Sequence, residues 1–505
     1  MEASQKGEPR RRRRDPLVGR RRGRGCQGGL LMSTINSNVP AVIAQRHLSQ
    51  SQRALAQSLE RLSSGLRINK GSDDPAGLIV SERLRAEISA VNQSIDNTSR
   101  AINVIATTEG ALDEVAALLI DIKGLIVEAA NRGAFSDEEI EANQLQIDSA
   151  IESISRIANT STFAGRKLLN GQLDYVTSGI NTADLADVNV LSAKFGNRDY
   201  IPVNVNVSQS ALTAQLSFAN VPLPSAVTID LSGPDGIVTL TFPANASAVD
   251  IVTSINAQVD ATGISAVASG TTGVNINSQR YGSEAFVSVS KVSDGGSFDV
   301  TDRSGATVNR TVGRDALATI NGVQSIADGL KLSISSPLLK LELTLDPDFG
   351  AGLTDFAVTG GGALFQLGPD VNTNQQENIG VKAMQANKLG NRIVGYLSQL
   401  QSGQEYALRE GEFKQASDIL NEVITQVSVL RGRLGAFERN TLRTNINALQ
   451  ITSENLTSSE STIRDTDFAQ ETSELTRAQI LVQAGNSILA IANAQSQNVL
   501  TLLGG

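Results

Sequence analysis

The chain's twelve prolines are spread unevenly over its 505 residues. Proline breaks helix interiors, so their spacing bounds what can be helical. Two fall among the first 31 residues, followed by Pro40 and Pro75; none lies between 76 and 201, eight lie from Pro202 to Pro369, and none follows from 370 onward. Two long proline-free arms therefore flank a proline-containing middle.

The arms carry helical periodicity. In the first, Leu48, Leu55, Leu59, Leu62 and Leu66 fit the alternating three-and-four spacing of a coiled-coil seam, with Gln52 filling one seam position. In the second, Leu475, Ala478, Val482, Gly485, Leu489, Ala492, Val499 and Leu503 keep the same spacing, interrupted by Ser496. Punctuation supports the helices. Asp74 is placed to cap a helix that Pro75 opens, since a missing N–H costs nothing at the first helical position. Asp73 and Asp74 read as capping residues rather than a metal site, because no other ligands cluster around them. Ser136 and Glu139 form a capping box, with Phe135 and Ile140 as a hydrophobic staple, after a stop at Asn131-Arg132-Gly133. The second helix of that pair is expected to end near Asn159.

The middle changes period. Ile201, Val203, Val205 and Val207 alternate with polar residues and proline. Val227, Ile229 and Leu231 lead into Ser232-Gly233-Pro234-Asp235-Gly236, and Val238, Leu240 and Phe242 follow, which is a hairpin signature. Leu330, Leu332 and Ile334, then Leu339, Leu341, Leu343 and Leu345, repeat the two-residue period across Pro337. Residues 176–369 read as mostly antiparallel strands in one or two lobes, with a short helix near Asp250–Gln258. The fold class is multidomain: a long α-helical coiled coil or bundle formed by both chain ends, with an inserted mainly-β central domain.

Composition narrows the chemistry. There is one histidine (His47), one cysteine (Cys26) and no tryptophan. Zinc clusters, histidine-based triads and disulfide frameworks are therefore not expected. The formal charge of -9 hides a division: residues 1–31 carry a net +7 and the remainder -16. The Arg-rich head has no aromatics to stack on bases and no apolar run to act as a signal peptide. It reads as a disordered extension, or as a start placed too early, with Met32 opening the working protein. The acidic body has no bias toward nucleic acid, and the sequence contains no run of about 18 apolar residues for a membrane span. Seams filled by Gln52, Ala478, Gly485 and Ser496 bury little apolar area, so paired ends need neighbouring copies, and the expected product is a polymer.

Both arms resemble the bacterial flagellins. The N-terminal signature is Ser58-Leu59-Glu60-Arg61-Leu62-Ser63-Ser64-Gly65-Leu66-Arg67-Ile68-Asn69 with Ser72-Asp73-Asp74-Pro75-Ala76-Gly77-Leu78. It continues through Thr108-Glu109-Gly110-Ala111-Leu112 and Phe163-Ala164-Gly165-Arg166-Lys167-Leu168-Leu169-Asn170-Gly171. The C-terminal signature comprises Arg433-Leu434-Gly435-Ala436, Glu454-Asn455-Leu456, Ile463-Arg464-Asp465-Thr466-Asp467, Gln479-Ile480-Leu481-Val482-Gln483-Ala484-Gly485 and Val499-Leu500-Thr501-Leu502-Leu503. Met32-Ser33-Thr34-Ile35-Asn36 resembles a flagellin N-terminus, and Ile320-Asn321-Gly322-Val323 a short Ile-Asn motif of variable regions. Pro75 departs from a usual Ala, and Ser496 stands where Pro is common.

The resemblance implies a filament subunit, exported unfolded through the flagellar secretion channel with an export chaperone. Assembly would occur under a cap protein and beside hook-associated proteins, outside the cell, without cofactor, nucleic acid or membrane insertion. Residues 33–74 with 465–505 would form the terminal coiled-coil layer, disordered in the monomer. Residues 75–175 with 370–464 would form an inner helical domain, and 176–369 a variable β-rich outer domain. The assembly seam is expected at Leu48, Leu55, Leu59, Leu62 and Leu66, and at Leu475, Val482, Leu489, Val499 and Leu503. Some flagellins are read by a host Toll-like receptor through a Gln-Arg pair and a Leu four residues after that Arg. Ile120 and Asp121 stand at the pair here, with Leu125 matching, which implies weak receptor stimulation. A metallopeptidase lobe, carried by some flagellins, would need a two-His zinc motif that a single His47 cannot supply. The competing structural reading is a hook-filament junction protein.

Overall fold

The computed structural model describes residues 38–503, apart from 197, 271 and 293–295, and describes side chains as far as 495. The Arg-rich head with Cys26, the start at Met32, and the side chains of Ser496, Val499 and Leu503 lie outside the described residues. Among those described, the α-helices are α1 (Val39–Ser64), α2 (Pro75–Ala129), α3 (Asp137–Thr160), α4 (Ala248–Asn256), α5 (Val259–Thr262), α6 (Phe413–Phe437), α7 (Arg443–Arg464) and α8 (Phe468–Leu503). A π-helical turn over Glu438–Leu442 joins α6 to α7. The chain divides into two compact units, one holding residues to 80 together with those from 461, the other residues 81–460.

Helix ends follow the punctuation. The Asn38 side chain accepts from the Ala41 N–H at the start of α1, and Gly65, at φ 74, ends it with its N–H donating to the Arg61 carbonyl. Asp74 Oδ1 accepts from the Gly77 N–H, and Pro75 is the first residue of α2. Gly77 has to be glycine: a Cβ there would lie 2.4 Å from Asp74 Oδ2 and 2.7 Å from Ile68 Cδ1. Ser136 and Glu139 complete the capping box of α3, with Ile140 buried and Phe135 packed on the same core.

In the larger unit α2, α3 and α6 share one helical core. Ile105, Leu112, Val115, Leu119, Ile122 and Ile126 of α2 face Ile147, Ile151 and Ile154 of α3 and Ile419, Val423 and Val427 of α6, all fully or almost fully buried. Gln144 is buried with both ends of its amide in use, donating to the Leu400 carbonyl and accepting from the Leu408 N–H. That satisfies a polar group which would otherwise be costly inside the core.

The middle forms two β lobes, each with its own core. In the first, the strand order is Val323–Gln324, Leu317–Ile320, Ile201–Gln209, Gly352–Gly361, Tyr175–Ser178, opposed by a second sheet that includes Lys331–Ser335, Leu339–Leu345 and Leu185–Ala193. Ile201, Val203, Val205 and Val207 are buried while their alternating neighbours face outward, as the two-residue period requires. Tyr175 is buried beneath these sheets, where its hydroxyl accepts from the Ala193 N–H; burial pushes its pKa up to about 12. The second lobe is spliced into the first between Gln209 and Leu317, with two four-stranded sheets and α4 around Phe218, Ile229, Phe242 and Ile276. Every named strand pair in both lobes is antiparallel. The Val227–Ser232 and Ile237–Phe242 strands pair as the hairpin the sequence indicates.

The Ile320-Asn321-Gly322-Val323 motif is a tight turn. Asn321 and Gly322 both have positive φ, at 51° and 79°, so the turn joins two paired strands with the twist they need. The Asn321 side chain also accepts from the Asn204 N–H and donates to the Pro202 carbonyl, tying the turn to strand Ile201–Gln209.

Candidate assembly interface

The smaller unit is an antiparallel pair of α1 and α8. Its two ends are marked by Asn38, whose amide donates to the Ala492 carbonyl at 3.0 Å, and by Leu66, which bridges Asp465. On α8 the inward row is Glu471, Leu475, Ala478, Val482, Gly485, Leu489 and Ala492, each buried or half-buried. From Leu475 to Ala492 this is the row the spacing indicates. The helices lie close together at Gly485, where a Cβ would lie 3.2 Å from Leu48 Cδ1 and 3.5 Å from Leu48 Cβ.

On α1 the row differs from the expected one. Leu48, Leu55 and Leu62 face α8, but the positions between them are Ser51 and Ser58, with Ala44 before Leu48; Gln52 is exposed and Leu59 is 51 % exposed. Two rows share the same three leucines. The one through Leu59 would also turn Gln45 and Gln52 inward and bury two amides, whereas the observed row buries small residues. Leu66 lies beyond the helix, after Gly65, so it belongs to the connection and not to the helical seam.

That connection is polar. The Arg67 N–H donates to the Arg464 carbonyl at 2.7 Å, the Thr466 N–H to the Gly65 carbonyl at 3.0 Å, and the Arg67 guanidinium to the Ile463 carbonyl. Beside it Arg61, in the last turn of α1, meets Glu471, in the first turn of α8, at 3.5 Å. Each charge complements its own helix dipole. Periodicity passes over Arg61 and Glu471 because it searches for apolar residues; opposite charges at facing helix ends were the available signal.

The pair does not exhaust the apolar surface of α8. Ile480, Leu481, Ile488 and Ile491 lie on its outward side, Ile491 at 66 % exposure, and Val39, Val42 and Ile43 of α1 are exposed as well. A helix apolar on both sides, paired with one partner, leaves one apolar face uncovered among the described residues.

Other chemistry is thin. Among the described residues no group of three or more His, Cys, Asp or Glu side chains converges as metal ligands. Asp73 accepts from the Asn69 and Lys70 amides, and the Lys70 amide above all holds its carboxyl below the ordinary range. His47 is exposed on α1. A cleft of about 360 Å³ in the larger unit is lined by Asp187, Lys382, Glu422 and Arg433. Two of these charges answer one another, Lys382 lying 3.2 Å from Asp187, and Arg433 donates to the Gly380 carbonyl. On α2, Ile120 is 62 % exposed and Asp121 is exposed beside it, while Leu125 packs partly on the helical core.

Residues 35–174 match the bacterial flagellin N-terminal helical region and residues 417–503 the bacterial flagellin C-terminal helical region. A flagellin of Salmonella muenchen is 29 % identical, over 94 % of this chain and 100 % of its own length. The B-type flagellin of Pseudomonas aeruginosa is 28 % identical over 93 % of this chain and 99 % of its own. Among solved structures, flagellar hook associated protein-3 of Legionella pneumophila is 12 % identical over 76 % of this chain and 98 % of its own, with a TM-score of 0.29, too low to bear on the assignment. With both terminal regions matched in order around a β-rich middle, the chain belongs to the bacterial flagellins.

Proposed function

We propose that this chain is a flagellar filament subunit whose ends pair as α1 and α8 and complete their burial against neighbouring copies. The observation that carries the reading is the second apolar face of α8, at Ile480, Leu481, Ile488 and Ile491, on a helix whose first face is already used. Small seam residues give one chain little burial to set against an ordering entropy of about 1–2 kcal/mol per residue, so the pair gains its order on assembly. Copies related head to tail by a rotation that does not close give an open helical filament. Leu475, Val482 and Leu489 supply the inner contacts, and Val499 and Leu503 are proposed to extend them. Residues 33–74 with 465–505 form the terminal layer in this reading, 75–175 with 370–464 the inner domain and 176–369 the outer domain. Export in an unfolded state with a chaperone, assembly under a cap beside hook-associated proteins, and a place outside the cell belong to the same proposal. Electron microscopy of a deletion strain tests it: loss of a filament subunit leaves bare hooks and no shed subunits. A strain that sheds filament subunits into the medium would show a hook-filament junction protein instead.

A second part of the proposal concerns Ile120 and Asp121. Both face solvent on α2, in the places where receptor-stimulating relatives carry a Gln-Arg pair, and an acid in place of the arginine removes a charged donor. Weak or absent Toll-like receptor stimulation is expected, and a strong reporter response at low protein dose would refute it.

A further inference from the structure

The seam of the terminal pair does not define its own alignment. Along α1 the inward positions alternate small and large: Ala44, Leu48, Ser51, Leu55, Ser58, Leu62. Along α8 they alternate in the same way: Leu475, Ala478, Val482, Gly485, Leu489, Ala492. With Leu48 against Gly485, antiparallel continuation sets Ser51 against Val482, Leu55 against Ala478 and Ser58 against Leu475, one large residue and one small in each layer. Sliding the helices by one heptad one way sets Leu48 against Ala492, with Ser51 against Leu489, Leu55 against Gly485, Ser58 against Val482 and Leu62 against Ala478. Sliding them the other way sets Leu48 against Ala478, with Ala44 against Val482 and Ser51 against Leu475, so most layers keep the large-small match. Apolar packing is therefore nearly degenerate between registers, the condition under which a single polar group can decide alignment.

We infer that the Arg61–Glu471 pair sets the register of the terminal helices, with the Gly65–Arg67 and Ile463–Thr466 connection holding it in place. In the observed register the two side chains meet at 3.5 Å, and Glu471 is only 8 % exposed. A slide of one heptad moves Glu471 against Leu55, or Arg61 against Ala478 or Arg464, and leaves a buried charge without a partner. Removing one partner of a buried pair is strongly unfavourable, so the wrong registers are penalised while the right one gains little. The role is one of positioning: the pair selects among alignments that the apolar seam tolerates equally.

The inference rests on the filament reading only for its sample, because the readout lies within one chain. In full-length protein carrying Cys26→Ser, Leu48→Cys is combined with Gly485→Cys, Ala478→Cys or Ala492→Cys. Chains are oxidised under assembly conditions, and pellet and supernatant are analysed separately by peptide mapping. The close approach of positions 48 and 485 suits a disulfide. With the native pair, the 48–485 bond is expected to exceed 48–478 and 48–492 by at least about tenfold. Glu471→Leu, which removes the charge but keeps the bulk, should bring the shifted bonds to comparable yield. Arg61→Glu combined with Glu471→Arg should restore the native preference. A full preference in Glu471→Leu would overturn the inference, as would loss of all three bonds together with the helical circular dichroism. Failure of the wild-type chain to sediment would count against the filament reading and leave the bond ratio in the supernatant to decide register.

Discussion

The helical core of the larger unit and the terminal helix pair use one spacing and fill it differently. In α2, α3 and α6 most inward positions hold Ile, Leu or Val, with Thr108, Asn143 and Gln144 buried among them, and Leu119, Ile122, Ile147 and Val423 are fully enclosed. In α1 and α8 about half of the inward positions hold Ala, Ser or Gly, and Phe468, Ile480, Leu481, Ile488 and Ile491 of α8 are exposed. A fully buried Ile or Leu is worth about 1.5–3 kcal/mol, and a serine at the same position contributes far less. The difference teaches that heptad spacing shows where two helices meet but not whether the meeting suffices. The helical core is closed within the chain; the terminal pair is, on the proposed reading, finished by other copies.

The contrast can be broken at either end. The largest effect is expected from deleting residues 490–505, which removes the last stretch of α8 and should abolish polymerisation while leaving the unfolding transition of the larger unit unmoved; normal-length filaments from the purified truncated chain would contradict this. Next in size is Ile122→Ala. At a fully buried position in the helical core it should cost about 3 kcal/mol in denaturant unfolding of the monomer. Ile488→Asp sharpens the comparison from the other side: on an exposed face it should change monomer stability by no more than about 0.5 kcal/mol yet suppress filament yield in a sedimentation assay.

The smallest effect concerns the first β lobe. Tyr175 has its pKa raised from 10.0 to about 12 by burial, so the folded lobe favours the neutral hydroxyl. Its contribution is complete below pH 10 and is lost as pH rises toward 12, a change of about 2 kcal/mol. Tyr175→Phe should be less stable near neutrality, having lost the Ala193 hydrogen bond, and should lose less stability than the parent chain between pH 10 and 12. Equal slopes for the two proteins would contradict the assignment.

Legibility in the sequence tracked how local each determinant is. Capping at Asp74 and Ser136, the alternation from Ile201 to Val207 and the hairpin around Gly233–Gly236 depend on residues a few positions apart, and each is found in the structure. The α8 row was equally legible from Leu475 to Ala492. The α1 row was not, because choosing between Leu59 and Ser58 depends on where Gln45 and Gln52 would be placed and on how closely Gly485 lets the helices approach. The splicing of one lobe into another, the Gln144 amide inside the helical core and the Arg61–Glu471 contact join residues far apart in the chain, and no periodicity reports them.

The central claim, that the terminal pair is completed by neighbours while the helical core is complete in itself, is tested most directly by hydrogen exchange on monomer and filament. Amides of α1 and of α8 through residue 495 should exchange rapidly in the monomer and become protected in the filament, while those around Leu112–Ile126 should be protected in both. Equal protection of α1 and α8 in the two states would contradict the account.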